Sequence, residues 1–157
     1  MSDIHMEKII FAIDNGHELH ARMKFLKHID IARAMGTLKG GFDTCIGYWT
    51  DGDGDVGVFE NSYMMNVNDY ERLVKPLGFT DGQVCVLRVS GDVRQPAFLE
   101  FYDGTQENVG PLVEIDYWDA KTASGWTYVE RTGKYFTTNY NKRDDLVICG
   151  GCGCYAR

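Results

Sequence analysis

Glu60, Ser62 and Gln83 are the residues whose types and spacing best suit chemistry. They lie inside or beside runs that otherwise read as sheet core, Glu60-Asn61-Ser62-Tyr63-Met64-Met65 and Gly82-Gln83-Val84-Cys85-Val86-Leu87. A polar side chain buried in such a run needs a partner or costs roughly 1–3 kcal/mol. Glu60 and Ser62, two residues apart, point to one side of a strand, and Gln83 on a neighbouring strand would complete a hydrogen-bonding triad. Such a triad either locks sheet register or reads the edge of a small nucleotide-like ligand. No G-x-S-x-G, H-E-x-x-H, P-loop or dinucleotide fingerprint is present. All four histidines fall in the first 28 residues, and no feature selects Ser62 or Cys45 as a nucleophile served by His17 or His20. The expectation is a protein that is not an enzyme.

Metal-ligating residue types occur in three places. Cys149, Cys152 and Cys154 form C-x-x-C-x-C among glycines in the last nine residues. Thiolates so spaced can wrap zinc, but zinc takes four ligands and only three are local. A zinc ion there is the one cofactor the sequence offers; a glycine-rich tail or a disulfide role are the alternatives. Asp51-Gly52-Asp53-Gly54-Asp55 has the carboxylate spacing of a calcium loop. It then departs from that pattern, with Val56 and Ser62 where Gly and Glu are needed, and reads as a hairpin turn. His17, His20, Lys24 and His28 line one helix face, where the lysine repels a cation.

Charge narrows the partners. The net charge is −7 and the pI about 5.0, and Lys and Arg form no stripe, so direct nucleic-acid binding is not expected. No apolar run reaches membrane-spanning length and no charged-then-apolar leader opens the chain, which predicts a cytoplasmic protein. The stretch Met1-Ser2-Asp3-Ile4-His5 reads as an added remnant ahead of a natural start at Met6.

The elements that must position these residues follow from periodicity and punctuation. Residues 8–13 form an apolar run suited to a strand. Asn15-x-x-Glu18 reads as a capping box for a helix to Met35, stopped by Gly36, with Leu19, Met23, Leu26 and Ile29 as its packing stripe, widened by Phe25, Ala32 and Met35. Strands are predicted over 44–50 and 56–67. A second capping box, Asn68-x-x-Glu71, opens a short helix through Lys75 that Pro76 and Gly78 end. Further strands are predicted over 83–90, 97–102, 112–118, 126–131 and 134–138. The order implies an α+β domain over residues 1–148, a mostly antiparallel sheet with one long and one short helix packed on one face, followed by the tail 149–157.

Alternation along these strands groups Glu100 with Tyr102, and Glu114 and Asp116 with Trp118. If the strands are neighbours, one sheet face carries carboxylates among large aromatics, a surface suited to a basic host protein. Gly47-Tyr48, Glu60-x-Ser62-Tyr63-x-Met65 and Gln83-x-x-Val86-Leu87 together resemble a pattern in small, uncharacterised phage-type accessory proteins. The resemblance covers residues 45–90 and departs at the Asp-rich turn and at Thr80-Asp81. It implies a viral or mobile-element accessory role and brings no activity. The function expected is binding and inhibition of a host protein, from defence or nucleic-acid-processing machinery, through the acidic-aromatic face. The alternatives are a non-catalytic binder of a nucleotide-like ligand and a metal-stabilised structural protein, either compatible with a homo-oligomer.

Overall fold

The computed structural model describes residues 7–13, 18–49, 58–81, 83, 85–92, 94–123 and 125–138. The Asp-rich turn, His17, the first capping box as a whole and Cys149, Cys152 and Cys154 lie outside the described residues.

Nine strands form one sheet: β1 (Lys8–Phe11), β2 (Phe42–Trp49), β3 (Val58–Asn66), β4 (Cys85–Val89), β5 (Ala97–Phe101), β6 (Gln106–Gly110), β7 (Leu112–Ile115), β8 (Gly125–Val129) and β9 (Lys134–Thr138). Their order is β6-β5-β4-β1-β3-β2-β8-β9-β7, and each pairing is antiparallel. The two outermost strands of that order, β6 and β7, are joined through Pro111 alone, with Gly110 at φ +79° making the turn. A one-residue link between opposite edges requires those edges to meet, and the sheet curls into a nearly closed barrel. This corrects the expected α+β layering. The strands were expected to lie as a sheet with helices on one face; the covalent link between its edges makes the sheet pack largely on itself.

Core composition follows from that closure. Ile10, Ala12, Cys85, Leu87, Ala97, Leu99 and Val109 form an inner cluster to which no helix contributes, and Leu112 of β7 packs against it from the far edge. The outer cluster joins Ile9, Phe11, Ile13, Tyr63 and Met65 to Phe25 and Ile29 of helix α1 (Glu18–Ala34) and to Tyr70 and Val74. Strand β1 is therefore buried on both faces, as its unbroken apolar run requires. The helix stripe differs from expectation. Phe25, Ile29 and Ala32 are buried, whereas Leu19, Met23 and Met35 are 68%, 63% and 72% exposed. His28 leaves the solvated row: its Nε2 lies 2.8 Å from the Leu73 carbonyl oxygen.

Two local differences shape the site. The short helix begins at α2 (Val67–Asp69) and continues as a π-helical turn, Tyr70–Val74, then a 3-10 turn, Lys75–Leu77, which Gly78 ends at φ +78°. The strand predicted over 112–118 stops at Ile115, because the Asp116 carboxylate accepts the Asp119 backbone N–H at 2.8 Å and caps helix α3 (Tyr117–Thr122). Cys85 is disulfide-bonded, and Cys45 is free.

Candidate functional site

The site residues proposed from sequence separate into three groups. Gln83, Glu100 and Tyr102 line one pocket of about 380 Å³ beside the ends of β4 and β5. Glu60 and Ser62 face the barrel interior, in register with Gly47 and Cys45 of β2. Glu114, Asp116 and Trp118 sit near the opposite edge of the sheet, on β7 and α3.

The triad does not assemble. Strand β1 lies between β3 and β4, and the Gln83 side-chain amide donates instead to the Ile13 carbonyl at 3.1 Å. The Ser62 hydroxyl, fully buried, has no partner among the described residues, and neither have the buried hydroxyls of Thr127 and Thr138. Thr127 and Glu60 flank Gly47 on its two sides, which makes this stretch of the interior small and polar. A nucleophilic Cys45 is disfavoured chemically: burial, with Asp43 and Glu130 nearby, pushes its thiol up to about 12.

The acids are already engaged. Glu100 is held by Arg88 and Gln106, Glu114 by Lys134 at 3.5 Å, and Asp116 is spent on the helix cap. What the outer surface shows instead is an aromatic ladder. Tyr48 stacks on Trp126 with ring centroids 5.2 Å apart, and Tyr135, Tyr117 and Trp118 continue the series.

The pocket at Gln83 is built by two elements. From below come β4 and β5, with Cys85, Val86, Glu100 and Phe101; from above comes the segment that starts in the π-helical turn, with Tyr70, Lys75, Thr80 and Asp81. Tyr70 is buried and within 2.9 Å of the Thr80 hydroxyl. Burial raises the Tyr70 hydroxyl above its ordinary pKa against the pull of Thr80, and the charges of Glu71, Glu100 and Asp81 push the same way. For Glu100 itself, burial opposes ionisation, but hydrogen bonds from Arg88 and Gln106 outweigh it and hold the carboxyl below its usual range. All three of those bonds fall on Oε1. A larger groove of about 600 Å³ between α1 and β2 is more open, and its Asp30–Arg33 and Asp43–Arg131 charges are already paired with one another. We favour the smaller pocket, which combines aromatic walls, acids and one lysine within a volume that suits a small molecule.

Among the described residues no group of three or more His, Cys, Asp or Glu gathers to hold a metal, and none of their helices is long and apolar enough to cross a membrane.

The model of the S-adenosylmethionine lyase family matches residues 16–139, which take in every described element from α1 to β9. The chain belongs to the S-adenosylmethionine lyase family. No curated protein matches it. Membership in a lyase family overturns the expectation of a non-enzymatic, phage-type inhibitor of a host-defence protein, and the expectation that the protein is not an enzyme. The pocket has no linear motif that could have announced it. Tyr70, Lys75, Thr80 and Asp81 went unnoticed as site residues because each is unremarkable in its own segment. One signal was available: Thr80-Asp81 stood out as a departure directly before Gly82-Gln83.

Proposed function

We propose that this protein is a lyase that cleaves S-adenosylmethionine in the pocket formed by Tyr70, Lys75, Asp81, Gln83, Glu100 and Tyr102. The observation that carries the reading is the family match over residues 16–139. The pocket's chemistry supports it. S-adenosylmethionine has an adenosine, an ammonium, a carboxylate and a positively charged sulfur. Tyr70, Phe101 and Tyr102 offer ring surfaces for the base, Lys75 a cation for the carboxylate, and Asp81 a negative charge for a cationic group.

Cleaving a carbon–sulfur bond of a sulfonium leaves the bonding electron pair on sulfur and releases a neutral thioether. In a lyase no water is added. The carbon fragment completes its valence from within, through its own nucleophile or by losing a proton. The protein's task is to fix the conformation and exclude water. The expected workplace is the cytoplasm, where such a substrate is made. Glu60 and Ser62 lie apart from this pocket, separated from β4 by β1, and serve the barrel interior.

The test is incubation with S-adenosylmethionine in ¹⁸O-labelled water, followed by mass spectrometry. A neutral thioether with no ¹⁸O in the other product is the expected result. Label in that product would indicate hydrolysis, and an intact substrate would overturn the reading.

A further inference from the structure

We propose that Asp81 reads the positive charge on the substrate's sulfur, so that the pocket holds the sulfonium and releases the neutral thioether. This rests on the lyase reading above. The two acids lining the pocket are not equivalent. Glu100 is 15% exposed at its side chain and is neutralised by Arg88 at 2.8 Å. Asp81 is exposed and has no ion pair among the described residues.

Its position is fixed by the backbone. The Asp81 N–H donates to the Gly78 carbonyl at 3.2 Å, and the Gln83 N–H donates to that of Thr80 at 3.0 Å. Gly78 has φ +78°, and a Cβ there would come within 2.9 Å of Asp81 Oδ2. Glycine suits the left-handed turn, and a Cβ there would push the end of the Asp81 carboxylate aside. Tyr70, on the same wall and within 2.9 Å of the Thr80 hydroxyl, feels the charge of Asp81.

The reaction changes the charge of the bound group. The electron pair of the broken bond stays on sulfur, and the cation becomes a neutral thioether. A fixed carboxylate favours the first and is indifferent to the second, which makes Asp81 a determinant of substrate binding and product release rather than a catalytic residue.

The experiment compares KM for S-adenosylmethionine with the inhibition constant of S-adenosylhomocysteine, a neutral thioether of the same skeleton. Wild-type, Asp81→Asn and Asp81→Glu proteins are used. Asp81→Asn is expected to raise KM by up to about fivefold, with a smaller change in kcat and none in the inhibition constant, and Asp81→Glu to restore KM. An unchanged KM, or a parallel rise in both constants, overturns the assignment. If S-adenosylmethionine survives the wild-type protein, the lyase reading has failed and this inference with it.

Discussion

Ser62, Thr127 and Thr138 each bury a hydroxyl that has no partner among the described residues. Replacing such a group by an apolar one of similar shape removes a desolvation cost without removing a bond. Thr127→Val is therefore expected to leave stability unchanged or raise it by up to about 1 kcal/mol, as read from urea unfolding; a loss of more than that would mean the hydroxyl has a partner in solution. Cys45 gives a pH prediction. Its thiol is raised from 9.0 to about 12 in the folded state, so the fold favours the protonated form. That contribution is fully present below pH 9 and is lost as pH rises through about 12. Removing the thiol in Cys45→Ala should make stability fall less steeply between those values. In the native protein at pH 8, Cys45 should resist alkylation while the denatured chain reacts, which peptide mapping would reveal. Neither property was legible in the chain. Ser62 drew attention as a polar residue in a core run, but whether it had a partner depended on β1 lying between β3 and β4.

At the scale of elements, Asp69 fastens the turn that leads into the pocket. Its buried carboxylate accepts the backbone N–H groups of Lys39 at 3.1 Å and Gly40 at 2.8 Å, and pairs with Arg72 at 2.6 Å. The π-helical turn begins at the next residue, and such turns recur at functional sites because they re-aim side chains. Asp69→Ala would leave two N–H groups without their acceptor, and we expect a loss of about 2–4 kcal/mol in urea unfolding together with weakened substrate binding. A variant as stable as the wild type would remove this role. Helix α3 shows how an element escaped the sequence. Residues 112–118 alternate as a strand should, yet a single cap at Asp116 outweighs two residues of alternation. Strand β6 escaped for the opposite reason. Gln106–Gly110 buries Val109 alone, so its pattern is too polar to announce a strand.

For the whole molecule, closure through Pro111 predicts a strong dependence on that link. Inserting three glycines between Pro111 and Leu112 should free β7 from the inner cluster, lower the melting temperature and expose apolar surface to a hydrophobic dye; an insertion mutant that melts like the wild type would show that the edges hold without the link. The net charge of −7 acts on function rather than on fold. At neutral pH S-adenosylmethionine has a net positive charge, so an acidic protein should attract it. We expect kcat/KM to fall as ionic strength rises, and a flat response would count against long-range attraction.

Much of the strand inventory was set by local sequence, since alternation, apolar runs and glycine breaks act within a few residues of themselves. The apolar run of residues 8–13 marked a strand, and Gly78 marked the end of the short helical segment. The charge of the chain also came from residues alone. Only the tertiary structure decided that the sheet closes, because closure joins β6 to β7 across the full strand order. It likewise decided that Gln83, Glu100 and Tyr102 meet Tyr70, Lys75 and Asp81 in one pocket. A pocket is a property of spatial neighbours. Its residues carry no common spacing along the chain from which they could have been gathered.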